Sequence, residues 1–119
     1  MLHAEDDATI TRWVQSVLRS LGETAESVAS GADVVERLRE HPEQYKLLIL
    51  DLVMPGMNGL EVLAWIRKTP ETKRLRVLVT TGSLITPNEF GSDPYVVVLR
   101  KPFDTEQLRT AVSQMLLMG

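Results

Sequence analysis

The hydrophobic positions along this chain change their period several times. Ile10, Val14, Val17, Leu18 and Leu21 recur at helical spacing behind Asp7, a good N-cap residue, and Gly22 stands where such a helix would stop. The spacing predicts a first helix near 8 to 21. The short stretch Thr24 to Ala29 reads as a strand, and after Gly31 the residues Val34, Val35 and Leu38 restore a helical stripe. Leu47-Leu48-Ile49-Leu50 is an unbroken apolar run ending in Asp51, the pattern of a strand covered on both faces inside a parallel sheet. After a turn-forming segment from Met54 to Gly59, Leu60, Val62, Leu63 and Ile66 resume helical spacing up to Lys68, with Pro70 beyond. Val77 to Thr81 then reads as a fourth strand and Tyr95 to Leu99 as a fifth. Leu108, Val112, Met115 and Leu116 give a final helix.

Strands alternating with helices imply an α/β fold, with parallel strands joined by right-handed crossovers and helices on both sheet faces. One segment breaks the rhythm. Between Thr81 and Tyr95 lie Gly82, Pro87, Gly91 and Pro94 with little apolar periodicity, so the fourth helix expected there is short, displaced or missing. The 119 residues suit one domain over 1–119, with neither repeats nor linkers.

Composition narrows the function classes. A net charge of −3 offers no general attraction to nucleic acid or anionic membranes. The absence of cysteine removes disulfides, thiolate nucleophiles and thiolate zinc sites. The early residues turn acidic at once, which fits no signal peptide, and no apolar run approaches the ~20 residues of a membrane span. The expected location is the cytoplasm.

In an open parallel sheet the ligand crevice lies beyond the carboxyl ends of the strands. There the sequence puts Glu5, Asp6 and Asp7 after strand one, Asp51 after strand three, Thr81 after strand four and Lys101 after strand five. Taken singly, each has an ordinary reading. Glu5-Asp6-Asp7 is an acidic helix start with its cap, Asp51 an Asx-turn residue, Thr81 a strand residue and Lys101 a solvated lysine. Taken together, three converging carboxylates would repel one another unless a cation sat among them. A hard divalent ion such as magnesium suits them, because it takes one or two carboxylates and keeps a position for a phosphate oxygen. Asp51 beside such an ion is a candidate nucleophile toward phosphorus, with Lys101 neutralising the transferring oxygens and Thr81 donating a hydroxyl.

These residues resemble the response-regulator receiver family over essentially the whole chain. The motifs that carry the resemblance are the pair Glu5-Asp6, the segment from Asp51 through Pro55 and Gly56 to Gly59, Thr81 followed by Gly82, and Lys101-Pro102-Phe103. The resemblance implies a flavodoxin-like three-layer sandwich with a five-stranded parallel sheet in order 2-1-3-4-5. It implies Asp51 as phosphoacceptor, and magnesium held by Asp6, Asp51 and the backbone carbonyl of Val53, with Glu5 acting through water. Thr81 and Lys101 become phosphoryl contacts, and the peptide before Pro102 is expected to be cis. The implied donor is the phosphohistidine of a sensor or hybrid histidine kinase. The receiver would catalyse its own phosphorylation and dephosphorylation without turning over a diffusible substrate.

Similar receivers meet the kinase near Ile10, Trp13, Met54 and Pro102, which are therefore candidate partner contacts. Two departures stand out. The segment from Thr81 to Lys101 is shorter than is typical, and the family's usual aromatic three residues before the lysine is Val98 here. They keep open a phosphorylation-independent, receiver-like interaction module. A flavin-binding or phosphatase enzyme fits less well, since strand one lacks a Gly- and Ser/Thr-rich phosphate loop. Trp65, between Glu61 and Lys68, is expected to face solvent, and His3 and His41 are expected to be structural or solvated. Stand-alone receiver or part of a hybrid kinase, homodimer or monomer, and the downstream partner all stay open.

Overall fold

The computed structural model describes residues 1–54, 58–82 and 93–117. Nine elements follow one another among them: β1 (Leu2–Ala4), α1 (Ala8–Ser20), β2 (Glu26–Val28), α2 (Gly31–Glu40), β3 (Leu47–Asp51), α3 (Gly59–Lys68), β4 (Arg76–Thr81), β5 (Val96–Arg100) and α4 (Thr105–Leu116). All five strands pair in parallel, in the order β2-β1-β3-β4-β5. This is the expected flavodoxin-like sandwich. The region expected to carry a short or missing helix falls mostly at 83–92, outside the described residues.

Every residue of β3 is buried, which explains its unbroken apolar run. Because strand side chains alternate, β3 feeds two cores. Leu48 and Leu50 join Leu2, Ala4, Val77 and Val79 under α2 and α3. Leu47 and Ile49 join Leu78 under α1 and α4. The two covered faces hold the sheet's carboxyl ends in fixed register, with His3 opposite Ile49 and Asp51 opposite Thr80.

The helix ends follow their local chemistry. Asp7 accepts hydrogen bonds from the amides of Thr9 (2.8 Å) and Ile10 (3.2 Å), and so caps α1 as its residue type predicts. At the other end Gly22, at φ +76°, makes the left-handed turn while Glu23 and Gly22 donate back to Leu18 and Arg19. Leu21 is thus the cap rather than the last helical residue. Ser30, Asn58 and Asp104 cap α2, α3 and α4.

The strands β2 and β5 and one side chain differ from expectation. β2 is three residues long instead of six, because at the sheet edge only Val28 reaches the core. β5 starts and ends one residue later than its apolar run, held by the ladder that pairs Thr81 with Arg100. Trp65 does not face solvent freely. It packs half-buried on the α2–α3 core with the Arg39 guanidinium 5.6 Å from its ring centre, since α2 runs alongside α3 and lays that arginine over the indole. Among the described residues no helix is long and apolar enough to cross a membrane.

Candidate functional site

β1, β3 and β5 end at one edge of the sheet, where Asp51 closes β3 and Glu5 and Lys101 directly follow β1 and β5, so the three side chains meet at one point. Carboxylate oxygens of Glu5, Asp6 and Asp51 lie within 4.8 Å of one another. The Lys101 ammonium stands 3.3 Å from Glu5 Oε1 and 3.3 Å from Asp51 Oδ2. Glu5 and Asp51 are each only 5% exposed, whereas Asp6 is open to solvent. Two desolvated carboxylates therefore share one ammonium, with a third acid at the mouth.

Backbone amides fix the orientation of both buried acids. Glu5 Oε2 accepts from the amide of Asp6 at 3.1 Å and of Asp7 at 3.5 Å. Asp51 Oδ1 accepts from the amide of Val53 at 3.2 Å, which leaves Oδ2 for Lys101. Val53 itself is exposed. The main chain also ties the strands together at this level, with the Lys101 amide donating to the Thr81 carbonyl at 2.8 Å. Thr81 is fully buried.

Burial, then a hydrogen bond to Asp51 and its charge, push the Glu5 carboxyl up to about 7, and the Lys101 charge only partly opposes them. For Lys101, burial disfavours the ammonium, but the charges of Asp51 and Glu5 outweigh it and raise its pKa. The pocket is thus short of positive charge even with its lysine in place. Its donors are all hard oxygens in close array, which fits a hard divalent cation better than a thiolate- or imidazole-loving metal.

Gly59 sets how closely the start of α3 approaches the end of β3. A Cβ there would lie 2.6 Å from Leu52 Cα, 2.6 Å from Leu52 Cδ2 and 3.1 Å from the Asp51 carbonyl oxygen. Only glycine lets α3 begin hard against the end of β3, and its amide donates to Leu52 O at 3.0 Å. The sequence signal was Gly59 directly after the cap Asn58, but nothing local to the chain says what it must pass.

His3 falls on the structural side of its expectation. It is 2% exposed, two residues before Glu5 on the sheet face that leads to Asp51, and its Nδ1 has no hydrogen-bond partner. Burial drives its pKa down to about 4, so the imidazole is neutral near pH 7. His41, in contrast, is exposed.

The remaining sequence-marked residues divide. Ile10 and Trp13 are half-buried on the α1–α4 core, and the Trp13 ring stacks on Phe103 with centres 5.5 Å apart. Met54 is buried and Pro102 exposed, and the Lys101–Pro102 peptide is cis. Val98, in place of the usual aromatic, is 37% exposed on the edge strand.

Comparison with known proteins places this arrangement. The response regulator receiver domain model matches residues 1–113. The transcriptional regulatory protein TctD of Salmonella typhimurium is 35% identical over 112 residues, covering 91% of this chain and 47% of that protein. The phosphate regulon transcriptional regulatory protein PhoB of Rhizobium meliloti is 32% identical over 117 residues, covering 94% and 49%. The chain spans about half the length of both relatives. A putative response regulator from Chloroflexus aurantiacus superimposes with a TM-score of 0.84 at 27% identity, over 97% of this chain and 94% of that one. With its acidic cluster, its lysine and its sheet order in hand, the chain belongs to the response regulator receiver family.

Proposed function

We propose that this receiver is a phosphoacceptor switch of a two-component phosphorelay, taking a phosphoryl group from the phosphohistidine of a sensor or hybrid kinase onto Asp51. The observation that carries the reading is the convergence of Glu5, Asp6 and Asp51 around the Lys101 ammonium. A carboxylate oxygen of Asp51 attacks phosphorus as the bond to the imidazole nitrogen breaks, and the imidazole leaves with the bond's electron pair. Lys101 neutralises charge on the phosphoryl oxygens, and the Thr81 hydroxyl donates to one of them. Asp6, Asp51 and the Val53 carbonyl would hold magnesium, with Glu5 acting through water. When bound, the ion supplies charge neutralisation to the phosphoryl oxygens. The Val53 amide holds Asp51 in orientation throughout.

On this reading the chain works in the cytoplasm and turns over no diffusible substrate. It catalyses only the gain and loss of its own phosphoryl group. Ile10, Trp13, Met54 and Pro102 flank the kinase contact. Val98 favours a second reading, an interaction module that signals without phosphorylation, because an aromatic that could swing is missing from that position.

Intact mass separates the two. After incubation with acetyl phosphate and magnesium, one phosphoryl adduct is expected, lost in Asp51→Asn and lost with chelator. No adduct from acetyl phosphate or from a panel of phosphorylated kinases would rule out the switch and leave the interaction module.

A further inference from the structure

A trough of about 500 Å3 opens at the opposite end of the sheet, at the amino ends of β3 and β4. Its walls are the α2–β3 connection, with Pro42, Tyr45 and Lys46, and the α3–β4 connection, with Pro70, Lys73, Arg74 and Leu75. That volume falls in the range of ordinary ligand clefts. We infer that this trough is a docking site for an acidic, extended segment of a partner protein.

The walls are preformed. The Thr72 hydroxyl donates to Ile66 O at 2.9 Å, and the amides of Thr72 and Leu75 close two successive turns onto Thr69 and Thr72. Two prolines fix φ on either side. Tyr45 is buried, and its hydroxyl is anchored to Glu26 Oε2 at 2.8 Å. Tyr45 and Leu75, both almost fully buried, line the bottom with apolar surface. A segment docking here meets ordered walls and spends little on ordering them.

The rim sets the sign of the partner. Lys46, Lys73, Arg74 and Arg76 line it against Glu43 and Glu71. Lys46 is held by Glu23 at 3.0 Å, but among the described residues no ion pair engages Lys73 or Arg74, and both are exposed. Counted over the whole lining, four basic side chains stand against two acidic ones in a chain of net charge −3, which complements carboxylates. The two rim carboxylates favour a peptide over a nucleic acid. They can accept main-chain amide hydrogens, which a phosphate backbone does not offer, and Tyr45 and Leu75 present apolar surface to a side chain. The trough lies at the sheet end away from Asp51, so a partner seated there leaves the acidic pocket open.

The test is a two-dimensional 1H–15N titration of the whole chain with the peptide acetyl-Glu-Glu-Phe-Glu-Glu-amide. Saturable shifts confined to the amides of residues 43–46 and 71–77 are expected, with affinity at least about fivefold weaker in Lys73→Glu/Arg74→Glu. Lys73→Gln/Arg74→Gln gives the same comparison if charge reversal disturbs the spectrum elsewhere. Shifts that do not saturate, that spread equally to Arg19, Arg39 and Arg109, or that persist unchanged in both double variants overturn the proposal. Tighter binding of oligothymidylate at the same amides does so as well.

Discussion

At the carboxyl ends of the strands, Glu5 and Asp51 are nearly sealed from water and share one lysine. At the opposite end of the sheet, just before β4, Lys73 and Arg74 stand in solvent with no ion pair among the described residues. The two ends have opposite sign and, more importantly, opposite solvation. Desolvated charges couple strongly, so the carboxyl end has shifted pKa values and strict packing. Exposed charges are screened within about 10 Å at ordinary salt, so the amino end can attract a partner but does little chemistry. Chemistry belongs to the end where water has been removed.

Substitutions should therefore hurt unequally at the two ends. The largest effect is expected from Lys101→Ala, which removes the shared cation. Phosphorylation by acetyl phosphate, followed by intact mass, should slow by roughly 100-fold or more. A rate within a few-fold of wild type would mean that the lysine does not serve the reaction. Next comes Gly59→Ala, whose new methyl must displace backbone at Leu52. Urea unfolding should show a loss of about 2–4 kcal/mol, and an unchanged midpoint would show that α3 shifts freely.

The third effect is a pair of opposed pH slopes. Glu5 goes from 4.5 when unfolded to about 7 when folded, so between those values the folded chain binds more protons and stability falls as pH rises. His3 goes from 6.5 to about 4, so between those values the unfolded chain binds more protons and stability rises with pH. The two nearly cancel where the windows overlap. In metal-free buffer, Glu5→Gln should expose the rising slope of His3, and His3→Leu the falling slope of Glu5, each on the order of 3 kcal/mol across its window. Parallel urea midpoints in all three proteins would contradict the assignment. The smallest effect is expected at the other end, where Lys73→Glu/Arg74→Glu should move stability by no more than about 0.5 kcal/mol. A larger loss would mean that the amino end is not simply solvated surface.

Much of the fold was legible in the chain because it rests on local signals. The run Leu47 to Leu50 announced a doubly covered strand, and Asp7 with Gly22 bracketed α1. Placement of Glu5, Asp6, Asp51, Thr81 and Lys101 after successive strands was readable for the same reason. Edge strands were less so. β2 and β5 are bounded by pairing with a neighbour, and no residue within Thr24 to Ala29 records where that pairing stops.

The sequence by itself determined element order, parallel topology, the two ends of α1 and which carboxylates would meet, since each depends on periodicity or on residue type at an element's end. Only the tertiary structure decided the rest. Whether Trp65 met water depended on Arg39 from another helix, the neutrality of His3 on how completely two helices cover the sheet, and the need for Gly59 on how closely α3 approaches β3. Solvation and close approach are properties of segments distant in the chain, and they come into being only when those segments pack.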